Sequence, residues 1–174
     1  HGGRCNGWPA NLFQDSPPFD LDLLEVPALE YDDVPQARPE KLAHNLSDVL
    51  TEAGFAAKNA LLHVHNHALG KNASLPGALG LLARDGYRQL LQVHDFAEDF
   101  RPANYAHLAT ALAGCSPADM ADQLYPQAGG IHYATLNRRD RAVLERAGIP
   151  DGQLHLLVNP VAEFGDLPGR DDAR

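Results

Sequence analysis

Imidazoles, carboxylates and carboxamides recur in this chain just after short apolar runs. His63-Val64-His65-Asn66-His67 closes the run 60–64, and His94-Asp95 follows 89–93. Asn137 follows 130–136, and Asn159-Pro160 follows or closes 153–158. Such side chains can hold a polar ligand by hydrogen bonds, and an imidazole or a carboxylate can also move a proton or ligate a metal. If the runs are strands of a parallel sheet, these groups gather in the crevice outside the strands' carboxyl ends, where open α/β sheets bind their ligands.

Three of the imidazoles alternate along one run. Alternate residues of a strand share a face, so His63, His65 and His67 are expected to point the same way. With His94 and Asp95 on the next strand they define one candidate chemistry, the zinc or iron site of a metal-dependent hydrolase. Against it, the later strand ends offer Asn137 and Asn159, which are poor primary ligands. Histidines packed inside and bonded to backbone would leave only Asn66 and His67 at the rim.

The segment from His94 to Asn104 is the most unusual. A strand-end histidine is followed by Asp95, Glu98, Asp99 and Arg101, with Phe96 and Phe100 expected to anchor the loop. Its plainer interpretation is a solvated loop with an internal Arg101–Asp99 pair. Gly2-Gly3-Arg4 could bring backbone N–H groups close to an anion. Arg138 and Arg139 begin a helix, against the preference of its dipole, which suits either phosphate binding or a solvated face. A Walker loop, a complete GxGxxG and a GxSxG elbow are all missing from the sequence, which sets aside P-loop hydrolysis, dinucleotide binding and serine-hydrolase chemistry.

The elements that must position these groups follow from periodicity and caps. Residues 1–38 are rich in Pro, Asp and Gly, with short strands expected around 21–26 and 28–31. Leu42, Leu46, Val49, Leu50 and Ala53 recur at helical spacing between Pro39 and Gly54, which predicts a helix over 39–53. The run 60–65 starts without polar alternation, as expected of a strand covered on both faces. Ser74 is expected to cap a helix carrying Leu75, Leu79 and Leu82. A third helix runs from Pro102 towards Gly114, and Ser116-Pro117-Ala118-Asp119 opens a short fourth. Asn137 caps a fifth that ends at Ala147. Strands alternating with helices over short connections predict βαβ units and a mostly parallel sheet.

Composition bounds the partners. A chain of 174 residues supports one substantial core. Its net charge of −9 argues against a broad nucleic-acid surface, and its three lysines (Lys41, Lys58, Lys71) are dispersed. Cys5 and Cys115 lie far apart in no ligand spacing, so a reducing compartment, the cytoplasm, is expected. No stretch reaches the roughly 20 apolar residues of a membrane span. The glycine-bearing start and the polar tail 165–174 suggest a segment of a larger protein.

Together these segments resemble the N-terminal domain of a GT-B glycosyltransferase of the retaining group 1 family. The resemblance rests on Gly2-Gly3, on the strand closing in His94-Asp95, and on Asn137 before a helix that ends in Ala147-Gly148-Ile149. Leu157-Val158-Asn159-Pro160-Val161 completes it, like the passage that closes the first domain in that family. It covers most of 60–161 and implies a Rossmann-like three-layer α/β/α domain over 1–161, with 162–174 as linker or tail. It further implies a nucleotide-sugar donor, a carbohydrate or lipid-linked acceptor, and a C-terminal donor-binding domain that this chain lacks, leaving the chain alone inactive. His94 matches the histidine that contacts the donor sugar, and Gly2 and Gly3 match the loop near the donor phosphates. Asp95, Glu98, Asp99, Arg101 and Asn104 would line the acceptor side by location. The family implies no enzymic nucleophile and no required metal or other cofactor. A catalytically silent module that binds sugar or nucleotide is a third possibility, different in class.

Overall fold

A computed structural model describes residues 2–3 and 23–159. Four strands, β3 (Leu61–His65), β4 (Arg88–Val93), β5 (Ile131–Thr135) and β6 (Leu154–Leu156), form one wholly parallel sheet in the order β3-β4-β5-β6. A separate two-stranded parallel pair joins β1 (Gly2–Gly3) to β2 (Leu24–Glu25). The helices are α1 (Pro39–Glu52), α2 (Leu75–Arg84), α3 (Pro102–Ala111), α4 (Pro117–Leu124) and α5 (Arg138–Arg146). This is an α/β architecture with a parallel sheet flanked by helices, consistent with the Rossmann-like α/β/α class. No described helix is long and apolar enough to cross a membrane.

Each crossover moves the chain one strand further in the same direction. Crossovers of one hand then bring their helices to the same side of the sheet. That side carries Leu91 and Val93 of β4, Ile131 and Tyr133 of β5, and Leu154 of β6, all buried in one cluster with Leu79, Leu108, Leu124 and Leu144 from α2, α3, α4 and α5. A second cluster joins Leu42 and Ala43 of α1 to Ala78 and Leu82 of α2. Gln89 lies 1% exposed between these layers, and its amide N–H donates to Leu79 O at 2.7 Å, tying β4 to α2. The opposite face does not match the expectation of a strand covered on both sides. Leu61 is 63% exposed, and His63 and His65, two and four residues on, are exposed as well.

Local signals account for most boundaries. Ser116 and Asp119 form a reciprocal capping box at α4. Asn137 caps α5, its Oδ1 accepting from Asp140 N at 2.9 Å. Ser74 does precede α2, but its hydroxyl does not cap it: Oγ accepts from Arg38 N at 2.8 Å and fastens the entry of α1 to α2. The strand expected around 28–31 is instead a 3-10 turn, Pro27–Leu29, with Glu30 N bonded to Pro27 O at 3.1 Å. Proline lacks the N–H that a strand would use there.

Gly70 and Gly54 share a left-handed backbone, φ +78° and +82°, in different surroundings. A Cβ on Gly70 would stand 2.6 Å from Asn104 O, whereas Gly54 has nothing within 4 Å. Gly70→Ala is expected to cost about 2–4 kcal/mol, from strain plus overpacking. Gly54→Ala should cost about 1 kcal/mol, from strain alone. Urea unfolding of the two variants side by side checks the contrast.

Candidate functional site at the carboxyl edge of the sheet

Because the sheet is wholly parallel, β3 and β4 end side by side, and one residue clasps them. Asn66 follows β3 with φ +53°, a left-handed conformation that asparagine tolerates better than most residues. Its N–H donates to Gln92 O at 2.9 Å. Its side-chain Oδ1 accepts from His94 N at 2.7 Å and Asp95 N at 3.3 Å. Asn66 therefore sets the position of His94 and Asp95 through their backbone.

The turn at Asn66 also divides the histidines. His63 and His65 share the open face, ring centroids 4.4 Å apart, and the His63 Nε2–H donates to Gln92 Oε1 at 2.8 Å. His65 Nδ1 and His94 Nε2 lie 2.9 Å apart and share a proton between them as donor and acceptor. Partial burial, then the neighbouring charges of His63 and His94, lower the His65 pKa and favour its neutral form. His67 does not join them, contrary to the alternation expected along the strand. β3 ends at His65, and the left-handed Asn66 turns the next side chain into the core.

There His67 is 2% exposed, its Nε2–H donating to Leu124 O at 3.0 Å, with Tyr125 edge-on and Tyr133 beside it. Burial depresses its pKa to about 4, and the bond to Leu124 offsets only part of that. The four-histidine metal set thus loses a member. Among the described residues no group of three or more His, Cys, Asp or Glu side chains is arranged to hold a metal ion.

The β4–α3 loop is held from several directions. Phe96 is buried beside Tyr125, as expected of an anchor. Phe100 is not an anchor: it is 94% exposed at φ +59°. Nor do Arg101 and Asp99 pair with each other. Arg101 reaches Asp95 at 3.0 Å, and Arg139 from α5 reaches Asp99 at 3.2 Å. Glu98 accepts from the Tyr125 hydroxyl at 3.3 Å. Burial, then the Glu98 charge, raises the Tyr125 pKa and keeps the phenol protonated. Asn104, on α3, donates from Nδ2 to Leu69 O at 2.7 Å, which joins α3 to the segment after β3.

The remaining candidates separate into a near and a far group. Asn137 is committed to α5, its Nδ2 donating to Asp140 Oδ2 at 2.7 Å, while Arg138 in the first turn is exposed. Asn159 lies exposed beyond β6. Gly2 and Gly3 pair with β2 and not with the four-stranded sheet. Arg4, Pro160, Val161 and the tail lie outside the described residues.

Sequence reasoning missed two arrangements. Asp32 Oδ2 accepts from Ala73 N at 2.6 Å and lies 3.3 Å from His107 Nε2, which fastens the 27–38 segment to α2 and α3. His132 and His155 face each other on β5 and β6, Nδ1 to Nε2 2.9 Å, in a stacked arrangement. The partners are 75 and 23 residues apart, so no local spacing could announce them.

The fold is a Rossmann-like α/β domain in which polar side chains at the carboxyl ends of β3 and β4 are bonded to one another. The chain is similar to mannosylglucosyl-3-phosphoglycerate synthase of Petrotoga mobilis, 27% identical over 142 residues, 81% of this chain and 26% of that protein. It thus spans about a quarter of the relative's length. No family profile matches the chain, and no solved structure matches it.

The neutral, buried His67 carries a pH dependence. Its folded pKa, about 4, lies below the ordinary 6.5, so the unfolded state takes up the proton first. The stability contributed is present above pH 6.5 and is lost as pH falls through 4, up to roughly 3 kcal/mol. In His67→Phe that loss should shrink, as read by urea unfolding at pH 7, 5.5 and 4.5. Parallel losses in both proteins would contradict the assignment.

Proposed function

We propose that this chain is the acceptor-side, N-terminal domain of a retaining GT-B glycosyltransferase. The enzyme moves a sugar from a nucleotide-sugar donor to a carbohydrate or lipid-linked acceptor. The observation that carries the proposal is His94: a strand-end imidazole, its backbone clasped by Asn66 and its ring bonded to His65. A hydrogen-bonding group so held is preorganised, and preorganised polar groups are what a transition state with developing charge requires.

The donor bond that breaks joins the sugar's anomeric carbon to a diphosphate oxygen. Positive charge grows on the ring and negative charge on the leaving group. His94 is assigned to the transferred sugar beside the reacting carbon, with Asp95 next to it. The backbone N–H groups of Gly2 and Gly3, with Arg4 and Arg138, are assigned to the departing diphosphate. Asn66, His67 and Asn137 act in this scheme by shaping the edge, since their side chains are bonded within the protein. Glu98, Asp99, Arg101 and Asn104 are assigned to the acceptor side.

The proposal takes 1–161 as this domain and 162–174 as the passage towards a second, donor-binding domain. It places the enzyme in the cytoplasm and gives it neither a required metal nor another cofactor. The Petrotoga relative's name supplies one acceptor chemistry to try, a phosphoglycerate glycoside.

The full protein should release nucleoside diphosphate from one member of a nucleotide-sugar panel when an acceptor is present. His94→Ala should lower kcat about 100-fold with an unchanged circular dichroism spectrum. Full activity in that variant, or no transfer from any donor, would sink the proposal.

A further inference from the structure

Phe100 is displayed where the fold does not need an aromatic ring. Its side chain is 94% exposed, and its φ of +59° is a conformation that bulky residues rarely adopt. The residues around it explain how the loop is held. Asp99 pairs with Arg139 at 3.2 Å, Asp99 N bonds to Phe96 O at 3.2 Å, and Arg101 pairs with Asp95 at 3.0 Å. Phe96 supplies the buried anchor. The loop is therefore held by its neighbours, and Phe100 adds only an exposed apolar surface in a disfavoured backbone state. Backbone strain of this kind concentrates at ligand clamps and active sites.

Beside Phe100 lies a depression of about 460 Å³ lined by Ala97, Glu98, Phe100, Arg101, Pro102 and Tyr105. Its wall is mostly apolar, and Tyr105 is 43% exposed. The volume falls within the range of small-ligand pockets. Glu98 contributes carboxylate acceptors and Arg101 guanidinium donors at the same opening.

We infer that this depression is a pyranose subsite. Phe100 and Tyr105 meet the apolar C–H face of a neutral sugar ring, and Glu98 and Arg101 hydrogen-bond its hydroxyl rim. The inference rests on the glycosyl-transfer reading in assigning that ring to the acceptor. The chemistry of the wall selects the ligand. A pyranose presents an apolar face and a rim of hydroxyls that both donate and accept, which matches rings set beside one carboxylate and one guanidinium. An anion would meet the Glu98 carboxylate. An acyl chain would gain little in a depression this open, because its burial is what would hold it. A nucleobase would stack on the same rings, which makes adenosine the control.

Saturation-transfer NMR on the full protein tests the subsite, with methyl α-D-glucopyranoside and methyl α-D-mannopyranoside as probes. The strongest transfer is expected at ring C–H protons. Phe100→Ala should weaken binding about fivefold or more, and Phe100→Trp should retain it. Phe100 is solvent-exposed, so neither change threatens the core; Tyr105→Ala serves as the second variant. Equal affinity in wild type and Phe100→Ala overturns the subsite, as does failure of both pyranosides to bind or binding of adenosine in their place. Sugar transfer with an unchanged acceptor KM in Phe100→Ala also overturns it, yet leaves the glycosyl-transfer reading standing. Pyranoside binding that depends on Phe100, in a protein that transfers no sugar, overturns that reading and keeps the subsite.

Discussion

The hydrogen bonds that Asn66 Oδ1 accepts from the backbone N–H groups of His94 and Asp95 are the constraint on which the edge of this sheet depends. In a parallel sheet the ladder stops where the strands stop, and the first residues beyond it carry N–H groups without a neighbouring strand to receive them. One carboxamide satisfies two of these groups across the β3–β4 boundary. To do so Asn66 adopts a left-handed backbone, and that same turn sends the following residue, His67, into the core. The position of His94, the division of the histidines and the packing beneath α4 thus share one cause.

Electrostatics at this edge is local. The chain carries a net charge of −9, yet Arg101 and Arg139 each sit against a carboxylate of the β4–α3 loop. Exposed pairs of this sort add little stability, commonly under about 1 kcal/mol each. Their role here is geometric, because Arg139 links the loop after β4 to the helix after β5. The imidazoles behave differently. His65 is biased towards its neutral form, so His65 and His94 can share a hydrogen bond instead of repelling one another.

The two faces of the sheet divide the labour of the molecule. One face is filled by Leu91, Val93, Ile131, Tyr133 and Leu154 against the helices. The other presents His63 and His65 at β3 and the His132–His155 pair at β5 and β6. Polar side chains on that face bond to each other across strands, His63 to Gln92 and His132 to His155. Histidine is suited to this, since each neutral ring offers one donor and one acceptor.

By itself the sequence determined what local physics controls. The α/β alternation, the helix starts at Pro39, Pro102 and Pro117, and the Asn137 cap were all legible. Each rests on spacing or capping within a few residues. The resemblance to a glycosyltransferase domain also rests on such short sequence motifs. Only the tertiary structure decided which polar groups remain open to a ligand. Strand periodicity put His67 beside His63 and His65, but the periodicity ends where the strand ends, at His65, two residues earlier than the pattern assumes. Asn66, Asn104 and Asn137 look alike as strand-end or loop carboxamides, and each proved bonded within the protein to a partner set by the fold. Phe96 and Phe100 are the same residue four positions apart. One is buried and one is 94% exposed, because burial depends on what the fold places against a side chain and not on the side chain itself.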